Sequence, residues 1–153
     1  MSFQIVVCGG IAPDPLQTLE PVAGPALKNE MMLPAVLDPW GSHALYEAAH
    51  LAKQFPWSRV VLVSMSPRSK LQQVLMTVAQ KVAFELVAVD GPSNGFTDSA
   101  AVAEVLAAAI EEIAGLDKSK LIVSGGWESA TRGSGTTMQM VGERLGITEQ
   151  FQG

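Results

Sequence analysis

The chain has 153 residues, 48% of them hydrophobic and only 16% charged, with a formal charge of −5. That length suits one compact core over residues 1–153, the composition excludes a disordered chain, and the acidic balance argues against a nucleic-acid surface. A single cysteine, Cys8, excludes an internal disulfide; with no leader-like start and no apolar run near the ~20 residues of a membrane span, a cytoplasmic protein is expected. Along the chain, Phe3–Cys8 reads as a first buried strand ending at Gly9-Gly10. The stretch from Gly9 to Trp40 is rich in Pro and Gly and has no clear period, as expected of a long functional or partner-facing loop. Ser42–Phe55 reads as a helix with Ala44, Ala48, Leu51 and Phe55 on one face. Arg59–Ser64 is a second buried strand, and Leu71, Val74, Leu75, Val78 and Val82 form the stripe of a second helix. Phe84–Val89 follows as a third strand. Thr97 or Asp98 caps a third helix that is stopped by Gly115. Lys120–Ser124 is a fourth strand, and Gly135–Leu145 the last helix. Apolar strands alternating with helices predict a doubly wound parallel sheet in three α/β/α layers. In such sheets ligands sit beyond the carboxyl ends of the strands, where strand order switches.

The most informative stretch runs from Leu121 to Met140. An apolar run empties into a Gly/Ser/Thr loop, and the loop empties into an amphipathic helix. Orphan N–H groups and the helix dipole favour an anion at that helix start. Gly133 and Gly135 lack a Cβ that would hold a phosphate off the main chain, Ser134, Thr136 and Thr137 offer hydroxyls, and Arg132 is the nearby cation. The same residues also suit an ordinary turn whose Ser and Thr cap the helix. If Gly135 lies against a phosphate, Gly135→Val should abolish nucleotide binding and leave the fold intact. Neither GxGxxG nor GxxxxGK[ST] occurs, so neither a dinucleotide fingerprint nor a P-loop is expected. His43 and His50 lack further ligands for a metal, and nothing resembles a catalytic triad or a paired-carboxylate site. Catalysis by this chain alone is therefore not expected, and no catalytic residues are assigned.

Three segments resemble the β subunit of electron transfer flavoproteins, including the nitrogen-fixation-linked type. Asp38-Pro39-Trp40 through Ala48 looks like that family's Asn-Pro-aromatic helix start, Val61 to Pro67 like its Val-Ser-x-Gly-Pro turn, and Leu121 to Leu145 like its final strand, loop and helix. The resemblance implies a Rossmann-like, HUP-type domain holding AMP, or FAD in the same place in bifurcating members. It further implies an α subunit carrying FAD, and acyl-CoA-type or other dehydrogenases as electron donors. By position Cys8 and Gly9 would flank the nucleotide, Asp38 would replace the family's asparagine, and Ser64 and Met65 would line the adenosine. Gly126, Arg132 and the backbone from Gly133 through Ser134, Gly135 and Thr136 to Thr137 complete the expected site.

The chain departs from this pattern where Thr131, Arg132 and Gly133 replace acidic residues, and where Gly126-Trp127-Glu128 stands for Gly-(Lys/Arg)-Gln. It also stops where the family's carboxyl-terminal extension would follow, which leaves a sheet edge for a partner chain or a homodimer to cover. The spacing of Gly125 and Gly135-Thr136 is similar to that of universal-stress-type nucleotide binders, so a free-standing AMP- or ATP-binding module is the alternative.

Overall fold

A computed structural model describes residues 1–24, 26–92 and 97–152. Among these residues six strands and four α-helices follow one another as β1 (Gln4–Cys8), β2 (Ile11–Pro13), β3 (Ala35–Leu37), α1 (Pro39–Gln54), β4 (Arg59–Met65), α2 (Arg68–Ala79), β5 (Glu85–Val89), α3 (Ser99–Glu111), β6 (Leu121–Gly125) and α4 (Thr137–Arg144). Four strands form one parallel sheet in the order β5-β4-β1-β6. The chain builds outward from β1 to β4 and β5, then returns through α3 to lay β6 on the other side of β1. Strand order therefore reverses between β1 and β6, and the crevice beyond their carboxyl ends is where such sheets take ligands.

Period-two alternation divides the core between the two faces. Val6, Cys8, Val61, Val63 and Met65 point to the side covered by α3 and α4, where Val102, Leu106, Ile110 and Val141 close over them. Ile5, Val7, Val60 and Leu62 point to the opposite side, under Ala44, Leu45 and Ala48 of α1 and Leu71, Val74 and Leu75 of α2. The two central strands are buried on both faces, which is why they read as unbroken apolar runs.

Three local readings are corrected. The first helix begins at Pro39, not Ser42, because Asp38 accepts the Trp40 N–H and proline suits the position after the cap. The last helix begins at Thr137, since Gly135 has a left-handed backbone (φ +65°) that no helix can contain. The Gly9–Trp40 segment is not a structureless loop: β2 and β3 pair antiparallel at its base, and a 3₁₀ turn at Glu30–Met32 is tied to α2 by the Lys70 ammonium on the Glu30 carbonyl. Strands of three residues, one of them ending in proline, are too short to leave a period in the sequence. Asp98, of the two residues proposed to cap α3, accepts the N–H groups of Ala100 and Ala101. Residues 93–96, between β5 and α3, lie outside those described. Among the described residues no helix is long and apolar enough to cross a membrane.

Candidate functional site

The crevice between β1 and β6 opens into a cleft. Its floor is Cys8, Gly9 and Gly10 from the end of β1, with Met65 from the end of β4. One wall is the start of α1, where Asp38 and Gly41 face inward, and the opposite wall is Val102 and Leu106 of α3. The loop from Gly126 to Thr136 and the first turn of α4 form the roof.

Small residues let these parts approach. A Cβ on Gly41 would lie 3.0 Å from the Gly9 Cα, so α1 and the β1 turn are in backbone contact. A Cβ on Gly126 would lie 2.4 Å from Trp40 Cβ and 2.7 Å from the Glu128 carbonyl, both without freedom to move. The chain needs glycine there for packing, whatever the cleft holds. Gly133 and Gly135, with φ of +61° and +65°, need glycine for conformation.

Within the loop, Ser129 organises one tight turn. Its hydroxyl accepts the N–H groups of Thr131 (3.2 Å) and Arg132 (3.4 Å), and its carbonyl accepts the Gly133 N–H at 3.0 Å. Two clamps hold the loop against the neighbouring helices. On one side the Ser134 and Ser99 hydroxyls share a hydrogen bond of 2.8 Å, tying the loop to the start of α3. On the other, Asp38 Oδ2 accepts the Ala130 N–H at 2.8 Å while Oδ1 accepts the Trp40 N–H at 3.1 Å.

Three helix starts converge here, and they are treated differently. The starts of α1 and α3 are each capped by a carboxylate, Asp38 and Asp98. The start of α4 has no side-chain cap: the Thr136 hydroxyl instead donates to Ser134 Oγ, and the first helical bond is Met140 N–H to the Thr136 carbonyl. The first-turn amides of Thr137, Met138 and Gln139 have no partner among the described residues, so the positive end of this helix is open. Beside it Arg132 carries a buried Nε without a hydrogen-bond partner. Burial lowers its pKa and the nearby Asp38 carboxylate works against that, leaving a guanidinium that is still charged at neutral pH. An unmet buried donor next to an open helix start is an arrangement an anion would complete.

Most of the expected site residues meet around this cleft: Cys8, Gly9 and Met65 in its floor, Asp38 in a wall, and Gly126, Arg132, Ser134, Gly135, Thr136 and Thr137 in its roof. Two do not. Ser64 is fully buried on β4, pointing to the α1/α2 side, and its hydroxyl has no partner there. Gly133 is exposed, its amide is spent on Ser129, and a Cβ on it would meet nothing within 4 Å. Gly135→Val also loses its value as a clean test, since a β-branched residue at φ +65° strains the backbone with or without a ligand. The sequence reading passed over Gly41, Ser129, Val102 and Leu106. Ser129 and Gly41 were within reach, one lying between Gly126 and Gly133 and the other in the first turn after Asp-Pro. The α3 pair is brought in by the crossover alone.

The cleft suits holding better than reacting. Burial pushes the Cys8 thiol up to about 12, so it is protonated at neutral pH and no nucleophile. Apolar lining from Met65, Val102, Leu106 and Met138 on one flank and amides with a guanidinium on the other suit a ligand with a flat apolar end and an anionic end.

A family model for the electron transfer flavoprotein domain matches residues 29–148, from the second half of the Gly9–Trp40 arm through the start of α1 and the glycine loop to just past α4. No curated protein matches the chain significantly. Proteins built on this domain are electron carriers that work with partner subunits and dehydrogenases. With the match covering most of its length and the α/β fold in agreement, the chain belongs to the electron transfer flavoprotein domain family.

Proposed function

We propose that this chain is a β-type subunit of an electron transfer flavoprotein, holding an adenine nucleotide in the cleft and pairing with an α subunit that carries FAD. The observation that carries the reading is the uncapped start of α4 beside the unpartnered Arg132 Nε, directly over the strand-order switch. Arg132 and the amides of Thr137 and Met138 would hold a phosphate, while Cys8, Met65 and Leu106 offer an apolar bed for the base. The nucleotide is AMP, or FAD in the same place in a bifurcating member; AMP fills and orders the cleft, and FAD supplies a redox centre. A partner is supported by β6, whose second edge pairs with no strand among the described residues, and by the Gly9–Trp40 arm, which exposes Leu16, Met31 and Met32. Electrons would pass from a dehydrogenase to the flavin of the pair.

Heating the purified protein and identifying the released compound by mass spectrometry and absorbance tests this directly. AMP or FAD is the expected product; ATP would favour the free-standing sensor, paired as a homodimer. If nothing is released, each nucleotide is added and unfolding followed, with a ligand at a hundred times its Kd stabilising by about 2.7 kcal/mol. Arg132→Met should remove most of that shift. No shift with any nucleotide would overturn the proposal.

A further inference from the structure

Asp38 sits at a junction of three parts of the cleft. Its amide donates to the Gly10 carbonyl at 2.9 Å, and its carbonyl accepts the Ser42 N–H at 2.8 Å. Its two carboxylate oxygens are divided between Trp40 in α1 and Ala130 in the glycine loop, and the residue is only 5% exposed. A carboxylate already accepting two backbone N–H groups presents no donor to a phosphate and repels one by its charge. Two residues beyond Ala130 stands Arg132, and the Asp38 charge acts on it.

We infer that Asp38 is a positioning residue and not a ligand contact: by stapling Ala130 to the first turn of α1, it places Arg132 and the start of α4 for the anionic end of the ligand. The nucleotide part of this inference rests on the function proposed above; the staple itself does not. A neutral side chain of the same length serves one N–H well and must turn its own amide N–H₂ toward the other, whereas the carboxylate serves both. That accounts for an acid in a site whose ligand is an anion.

The test is Asp38→Ser. Serine is as good a helix cap as aspartate and keeps the Trp40 N–H satisfied, but it is too short to reach Ala130 as well. Hydrogen exchange of the ligand-free protein should show the Ala130 amide losing protection while amides in the middle of α1 stay protected. Affinity for AMP should fall by roughly tenfold or more, as when a charge-assisted contact is misplaced, and affinity for adenosine should hold. Unchanged protection at Ala130 overturns the staple. Equal losses for AMP and adenosine overturn the assignment to the anionic end. A wild-type protein that binds neither ligand defeats the proposed function alone, and the exchange measurement then decides the staple by itself. Should the serine variant fold poorly, Asp38→Asn allows the same readings, with partial protection expected at Ala130.

Discussion

At the amino end of the sheet, polar groups find partners in full. The Gln4 side chain donates to the Gly115 carbonyl and accepts the Asp117 N–H, both at 2.8 Å; Ser58 accepts the Phe3 N–H; Arg59 forks onto Glu85 through two bonds of 2.6 Å and reaches the Ala114 carbonyl. At the carboxyl end, the same four strands deliver an uncapped helix, a guanidinium nitrogen with no acceptor, and two left-handed glycines in one loop. Both ends are cut from one sheet, so the difference lies in the loops. One set closes the structure; the other is left chemically open, which folding alone would not favour.

The comparison can be broken by substitution. The largest effect is expected at Gly126, where any Cβ meets backbone: Gly126→Ala should cost about 1–3 kcal/mol in thermal or urea unfolding. An unchanged midpoint would show that the α1–loop contact is looser than the geometry indicates. Gly133→Ala separates conformation from packing, because the space around that position is open and only φ +61° stands in the way. A loss of about 1 kcal/mol is expected, and Gly133→Asn, which tolerates the left-handed region, should recover much of it.

Effects at the amino end should be smaller. Arg59→Met removes a half-exposed ion pair and should cost about 0.5 kcal/mol at neutral pH. The pH dependence has a definite sign. The hydrogen bonds from Arg59 hold the Glu85 pKa below its ordinary value, so the pair stabilises above the unfolded glutamate pKa, and that contribution disappears as pH falls through the lowered one. The gap between wild type and Arg59→Met should therefore close on acidification; a gap that widens would contradict the assignment. The smallest change sharpens the contrast from the other side. Trp57 is 95% exposed at φ +74°, in the third place of a Phe55–Ser58 turn whose second place is proline, where a type II turn favours glycine or asparagine. Trp57→Asn should stabilise by a few tenths of a kcal/mol. A loss instead would mean that the indole makes a contact in solution.

What the sequence determined by itself is local and periodic. The apolar runs of β1 and β4, the stripe of α2, a cap for α3 at Thr97 or Asp98 and the glycine loop all depend on neighbours a few residues away, and each could be read in order. The Asp38-Pro39 pair carried a readable helix start as well, although the reading placed that start three residues late. Tertiary structure decided the rest. The order β5-β4-β1-β6, the antiparallel closure of the arm by β2 and β3, and the meeting of Val102 with Cys8 across the cleft all pair residues far apart in the chain. Asp38 marks the boundary between the two. Its bond to Trp40 spans two residues and is implied by its neighbours; its bond to Ala130 spans 92 and exists because crossover through α3 brings β6 back beside β1. Ser64 marks the same boundary from the other side, for a one-residue step along a strand turns a side chain from one face to the other.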